Sequence, residues 1–303
     1  MKKSIAAVCL LALCVCLQAQ EVDLDKLLAA ESKKSEKEEI PPGDLIPIFK
    51  TTRISNGHSV EVLPRGVLDM KIQHRFGSMK DGFENFWGLD NAIIRLGVDY
   101  GITDRLMVGL GRTTYQKQVD GFLKYKILQQ SEAKGMPLTM TALASTMLRT
   151  DKYDETLPYD PYYTDRLSFA FQLMLARKFG EAFSLQLMPT LVHYNMVQKA
   201  TDPNDIISLG IGGSLRLSKR TRFNVEYYYN LPDYKFEGTV NSLAFGFDIE
   251  TGGHVFQLLF TNGMGVAEKP FITETTGKFT EGDIHFGFNI SRVFQLGGKK
   301  KMK

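Results

Sequence analysis

Five histidines are the side chains of this 303-residue chain best suited to bind a metal ion or to move protons. No two of them form an HExxH pair or another close metal-binding spacing. We expect His285 to make a polar contact beside Asn289 on the inward face of a strand. The pattern therefore predicts no metal site, no cofactor and no catalytic residue. The five are His58, His74, His193, His254 and His285.

Other groups that could do chemistry are equally dispersed. All three cysteines lie within residues 1–19, so the rest of the chain has no thiolate. Glycine-rich fragments at 109–111 and 210–213 lack the spacing of a dinucleotide-binding fingerprint. The chain has 37 basic and 34 acidic residues, which is not the clear basic excess of a nucleic-acid-binding surface. We therefore expect no nucleic-acid partner.

The N-terminus is typical of an export signal. Lys2 and Lys3 precede an apolar run at residues 5–17, which is too short to cross about 30 Å of hydrocarbon comfortably. The sequence predicts a signal peptide over residues 1–19, cleaved between Ala19 and Gln20.

Three further segments differ from the main part of the chain. Residues 20–43 are rich in Lys and Glu and end in Pro and Gly, which predicts a charged periplasmic leader. Residues 44–65 form a short apolar segment, which we interpret as either a first strand or a segment in the mouth of a barrel. Residues 297–303 form a basic tail.

Residues 66–296 show the period-two alternation of strands with one apolar face. In one example, Leu167, Phe169 and Phe171 share a face, whereas Ser168 and Gln172 share the other. Most strands have the length that a tilted strand needs to cross a bilayer. The predicted strands are 66–76, 91–100, 105–112, 120–128, 137–148, 165–177, 182–194, 206–217, 221–230, 242–250, 253–261 and 282–294.

The connections between these strands alternate between short and long, although 113–119 and 129–136 are intermediate. A transmembrane barrel has this asymmetry, with tight periplasmic turns and longer outer loops. A soluble Greek-key sandwich has no reason to sort its loops in this way. We therefore predict an all-β fold, a closed antiparallel transmembrane β-barrel of about 12 strands, with both termini on the periplasmic side.

Charged side chains avoid the apolar stripe of every predicted strand. Lys or Arg on the lipid face at the bilayer midplane would cost roughly 2–4 kcal/mol, so these residues are expected to line the lumen. With His285, the predicted lumen-facing polar residues are Asp69, Lys71, Arg75, Arg95, Asp99, Lys124, Lys126, Arg216, Glu226, Asp248 and Glu250.

Several segments resemble an uncharacterised outer-membrane β-barrel family, filed as a domain of unknown function. The similar segments are 56–69, 74–77, 97–106, 121–126 and 253–257, and the resemblance covers residues 45 to 296. It implies a barrel in the outer membrane of a Gram-negative-type cell and brings no activity and no catalytic residue.

Three functions remain open from the sequence. The first is a pore or small-solute binder. The interior of a twelve-stranded barrel is intermediate in width between the filled interior of eight strands and the open channel of sixteen. The second is an outer-membrane lipid-acting enzyme that uses Ser and His. The third is a structural or adhesion scaffold that binds partners through its outer loops. The expected partners are the lipid bilayer and the outer-membrane insertion machinery. This machinery reads an aromatic residue at the end of the last strand, and Phe294 is the candidate. The sequence does not identify any other protein partner.

Overall fold

The computed structural model describes residues 46–152, 162–251 and 254–296. The predicted signal peptide, its cleavage site at Ala19 and Gln20, the charged leader and the basic tail lie outside these residues. The described part consists mainly of twelve strands. They are β1 Val67–Ser78, β2 Ala92–Gly101, β3 Leu106–Thr113, β4 Val119–Leu128, β5 Thr139–Leu148, β6 Leu167–Phe179, β7 Phe183–Tyr194, β8 Asp205–Arg216, β9 Thr221–Asn230, β10 Ser242–Thr251, β11 His254–Thr261 and β12 His285–Gln295.

The twelve strands form one closed antiparallel barrel. Each strand pairs with its neighbours in sequence, and β1 pairs with β12 to close the ring, with Met70 opposite Arg292 and Ile72 opposite Ile290. Closure leaves no strand edge without a partner, and a sheet surrounded by hydrocarbon requires this. The predicted fold class is confirmed.

The two faces of the strands differ as the alternation predicted. Along β6, Ser168, Ala170 and Gln172 are buried, whereas Phe171 and Leu173 are exposed on the outer surface. The side chains of Leu96 and Leu110 are 58% and 68% exposed, although both are apolar. Apolar side chains outside and polar side chains inside are the arrangement of a barrel whose outer surface contacts lipid.

The connections cluster by length at the two ends of the barrel, with two exceptions. Residues 102–105, 180–182 and 217–220 form the tight turns of one end, which we name the short-turn end. Longer connections, such as 262–284, lie at the opposite, long-loop end. The intermediate connections are the exceptions: 114–118 is a brief link at the long-loop end, and 129–138 is an extended one at the short-turn end. The alternation is therefore less strict than a simple barrel pattern.

Residues 46–65 form no strand of the sheet and lie inside the barrel, where they make an inner hairpin. Its two arms meet at the bridge between Arg53 and His58 and at the hydrogen bond from Ser59 N to Thr52 O, 3.0 Å long. Every residue from 51 to 60 is buried. The hairpin starts at the short-turn end, where the Ser184 hydroxyl donates to the carbonyl of Ile48. It therefore extends from the mouth into the interior of the barrel.

The hairpin joins β1 through a tight backbone contact at Gly101. Gly66 N donates to the carbonyl of Gly101 over 2.8 Å. A Cβ atom at Gly101 would lie 2.1 Å from the carbonyl oxygen of Pro64, so only glycine allows this approach. The return of the hairpin to the barrel wall is thus fixed by backbone geometry.

The connection between β11 and β12, residues 262–284, forms an inner loop that folds into the opposite mouth. It carries the short helix α1, Glu268–Thr273, in which every residue is buried. Within the described part of the chain, no helix has the length and apolar character needed to cross a membrane. The inner loop and the inner hairpin together fill the interior from its two ends.

Candidate functional site

The structure buries ten of the twelve predicted lumen residues. Arg216 and Glu250 are the two that remain half-exposed, because they lie at the short-turn end of their strands. Arg216 contacts Glu181 in the neighbouring turn, and Glu250 contacts Lys50 of the inner hairpin. The ten buried residues are Asp69, Lys71, Arg75, Arg95, Asp99, Lys124, Lys126, Glu226, Asp248 and His285.

The Glu226 side chain holds the tip of the inner hairpin. Its carboxylate accepts backbone N–H groups from Ser55 at 3.2 Å, Asn56 at 2.8 Å and Gly57 at 3.1 Å. Successive N–H groups that converge in this way form a concave site for an anion. The carboxylate is buried, so these charge-assisted hydrogen bonds compensate for its lost hydration.

Arg75 fastens the same tip from the opposite wall. Its guanidinium donates to the Asn56 side-chain oxygen at 2.8 Å and to the Asn289 side-chain oxygen at 2.9 Å. Asn289 in turn donates to the carbonyl of Ser55 at 2.9 Å. Polar contacts from β1, β9 and β12 therefore hold the tip.

A second cluster on the β1–β2 wall is centred on Lys71. The ammonium group lies 2.9 Å from the Asp69 carboxylate, and it also forms an ion pair with Asp99. It donates to the hydroxyl of Thr52 in the inner hairpin at 2.5 Å. One cation lies between two carboxylates, so this cluster has a formal charge of −1 where the first arm of the hairpin passes.

Lys124 and Lys126 hold the second arm of the hairpin from β4. Lys124 Nζ donates to the carbonyl of Glu61 at 2.5 Å, and Lys126 Nζ lies 3.3 Å from the Glu61 carboxylate. That carboxylate also accepts the backbone N–H of Ile48 at 2.7 Å, which links the two arms.

Arg95 and Asp120 form a buried ion pair between β2 and β4. Arg95 Nε donates to Asp120 Oδ1 at 2.9 Å, and Arg95 Nη1 donates to Gln73 at 2.8 Å. A Cβ atom at Gly97 or Gly111 would lie 2.5 Å or 2.3 Å from the guanidinium, so these glycines make room for it. The pair links β2 to β4 across β3.

The inner hairpin and the inner loop meet at Glu268. Its carboxylate lies 3.4 Å from Arg53 Nη1 and 3.3 Å from His58 Nε2. All three side chains are buried, so the contact closes the interior between the two inserted segments. The ion pair in this contact joins Arg53 and Glu268, which are 215 positions apart in the sequence.

A polar network at the long-loop end is centred on Glu274 of the inner loop. It accepts from Tyr115 at 3.0 Å and pairs with Lys269 at 2.7 Å. Burial, followed by the negative charge of Glu274, raises the pKa of the Tyr115 phenol well above its usual value. Burial also lowers the pKa of Lys269, and the carboxylate of Glu274 opposes that shift. The loop is therefore fixed in the mouth by interacting charged and polar groups.

The remaining predicted residues make local contacts. Asp248 accepts from Gln257 at 2.8 Å, and His285 Nδ1 lies 3.0 Å from the carbonyl of Phe76 rather than bonding Asn289. Over the described ranges, no three His, Cys, Asp or Glu side chains are grouped to hold a metal ion. Nor does any imidazole described here hydrogen-bond a serine hydroxyl, so a lipid-acting enzyme remains a hypothesis without a site.

Several residues that are buried inside the barrel were not predicted from the sequence. Asp120 has the same strand parity as Lys124 and Lys126, so the period-two rule could have found it. Arg53, His58 and Glu268 lie outside the regular strands, and no periodicity indicates that they are buried. Their positions depend on partners that are distant in sequence.

Comparison with known proteins gives a family and distant structural likenesses. The family model described as "Membrane bound beta barrel domain (DUF5777)" matches residues 49–294. No curated protein matches the chain. The match to the family model confirms the resemblance that the sequence indicated for residues 45 to 296.

Three solved barrels illustrate the structural likeness. The NanC porin is 12% identical, with a TM-score of 0.46, and the match covers 75% of this chain and 98% of that one. An outer-membrane channel from Pseudomonas putida F1 is 14% identical, with a TM-score of 0.45 and coverage of 78% and 98%. Omp33 from Acinetobacter baumannii is 8% identical, with a TM-score of 0.40 and coverage of 75% and 97%. We draw nothing about activity from similarities this distant.

Proposed function

The chain belongs to the membrane-bound β-barrel family DUF5777, and from that premise we propose that it is a small-solute pore of the outer membrane, closed by its inner hairpin. In the described conformation the inner hairpin and the inner loop occupy the interior. Opening requires the hairpin to leave its wall contacts, so the pore is gated.

The observation that supports this proposal most directly is how the inner hairpin is held. Its polar wall contacts are hydrogen bonds to Glu226, Arg75, Lys71, Lys124 and Gln186. Its buried apolar side chains also form one hydrophobic cluster with residues of the wall. Water can replace the polar contacts when the hairpin leaves the wall, whereas separating the apolar cluster costs free energy and favours the closed state. The polar part of the wall is compatible with both a filled and a hydrated interior.

The strand number is compatible with a passage. Eight strands leave an interior filled by side chains, and sixteen leave an aqueous channel. In this twelve-stranded barrel the inner hairpin and the inner loop occupy the space, and removal of the hairpin would leave room for solute.

The proposal also includes how the chain is exported and inserted into the outer membrane. Residues 1–19 act as the signal peptide, with cleavage between Ala19 and Gln20. The insertion machinery recognises the last strand, in which Phe294 is the terminal aromatic. The short-turn end then faces the periplasm and the long-loop end faces the outside.

Planar-bilayer recordings test the gated pore. We expect the full chain to conduct rarely, and a variant that lacks residues 46–62 to give frequent discrete conductance steps, because the deletion removes the segment that fills the interior. A matched deletion of residues 22–38 removes the same length from the charged leader and is expected to leave conductance unchanged. Heat-modifiable gel mobility verifies that each variant is folded.

Two results would contradict the proposal. One is a folded 46–62 deletion that conducts no more often than the full chain. The other is an equal increase in conductance from the leader deletion, which would mean that the inner hairpin is not the specific barrier.

A further inference from the structure

A basic pocket lies at the short-turn end, where the inner hairpin enters the barrel. It is about 280 Å³ in volume and is formed by the hairpin, the three strands β6, β8 and β9, and the turn between β8 and β9. Its lining residues are Pro47, Phe49, Lys50, Lys178, Arg216, Lys219 and Arg222.

Only two of the five cations in this pocket have carboxylate partners among the described residues. Lys50 pairs with Glu250, and Arg216 lies 3.1 Å from Glu181. Lys178, Lys219 and Arg222 form no ion pair within the ranges that the structure describes. The pocket therefore has an excess of positive charge.

Arg222 is the residue that most clearly indicates a ligand. Its side chain is only 6% exposed, and one guanidinium nitrogen donates to the hydroxyl of Ser214 at 3.2 Å. The Nε atom is buried and has no hydrogen-bond partner among the described groups. The nearby carboxylate of Asp248, opposite Arg222 on β10, accepts instead from Gln257. A buried cationic donor without a partner is costly unless an anion fills its place.

We propose that this pocket binds a soluble oxyanion of the phosphate class, either inorganic phosphate or a small phosphate monoester. A dianion neutralises the cations that have no carboxylate partner, and the Arg222 guanidinium lines the pocket that it would occupy. The volume suits a small anion. The inward positions of Arg216 and Arg222 place the binding groups inside the mouth rather than on the outer surface that faces lipid. This inference goes beyond the proposed pore, because binding does not require conduction.

Calorimetric titration of inorganic phosphate into the folded full chain, in a zwitterionic detergent and a phosphate-free buffer, tests the pocket. We expect saturable binding, weakened at least about tenfold by Arg222→Gln, which removes a charged donor. The double variant Lys178→Gln/Lys219→Gln, which we name the rim variant, is expected to weaken binding as well, because it removes two of the unpaired charges. Lys199→Gln is the matched control, since Lys199 is exposed in the 195–204 connection at the long-loop end, and its affinity should be unchanged.

A comparison of ligands distinguishes a soluble anion from a lipid headgroup. We expect glycerol phosphate to compete with inorganic phosphate, and mixed micelles that contain phosphatidic acid to compete no better. The absence of saturable phosphate binding to folded protein would overturn the proposal. So would unchanged affinity in both the Arg222 and the rim variants, or competition by phosphatidic acid alone.

Discussion

Replacing Glu226 with alanine is expected to raise the open probability of the reconstituted barrel about a hundredfold. The carboxylate accepts N–H groups from three successive residues at the hairpin tip, Ser55, Asn56 and Gly57. Truncating one partner of a buried, charged hydrogen-bond set costs about 2–5 kcal/mol, and about 1.4 kcal/mol changes an equilibrium tenfold. The substitution removes this stabilisation from the closed state. It does not destabilise the open state, because there the Glu226 carboxylate contacts water and not the hairpin tip.

Single-channel recordings measure this effect directly. The matched control is Glu281→Ala, which removes an exposed carboxylate paired with Lys278 in the inner loop and should leave open probability unchanged. Folding of both variants is verified by heat-modifiable mobility. If folded Glu226→Ala conducts as rarely as the unmodified chain, Glu226 does not hold the gate.

The largest effect on stability is expected from Asp120→Asn. The change leaves the Arg95 guanidinium buried without its carboxylate, although Arg95 is fully enclosed between β2 and β4. Removing one partner of a buried ion pair destabilises a protein by roughly 3–5 kcal/mol, because the other charge is left uncompensated. Urea unfolding in detergent, followed by far-UV circular dichroism, should show a clearly lower midpoint.

Two further variants identify the cause of that loss. Asp233→Asn changes an exposed aspartate in the connection between β9 and β10, and its midpoint should not change. The double variant Arg95→Met/Asp120→Leu removes both charges and is expected to recover most of the stability. An unchanged midpoint for Asp120→Asn would show that the pair contributes little to the barrel.

The barrel could be predicted from the sequence because its determinants are local. Side chains alternate along a strand with period two, so Phe171 and Gln172 must face opposite sides wherever the strand lies. The same rule placed Arg95 and Lys124 among the inward residues, and it would have added Asp120. Closure of the sheet follows because open edges are not tolerated in lipid.

The contents of the barrel could not be predicted in the same way, because they depend on non-local pairing. Asn56 and His58 are polar residues in a segment without periodicity, and they are buried because Glu226, Arg75 and Glu268 meet them. A connection as long as 262–284 is typical of an outer loop, so the burial of Glu268 had no local signal. The inner hairpin was likewise expected as a strand or as a segment in the mouth.

The position of Asn56 in the folded protein tests the central claim, that the inner hairpin fills the barrel. Residues 20–303 contain no cysteine, so Asn56→Cys gives a single thiol after signal removal. We expect a polymer-linked maleimide to leave this thiol unmodified in the folded barrel and to label it after denaturation. Tyr163→Cys, exposed between β5 and β6, should be labelled in both states. If folded Asn56→Cys reacts as fast as folded Tyr163→Cys, the hairpin is outside the barrel and the account is wrong.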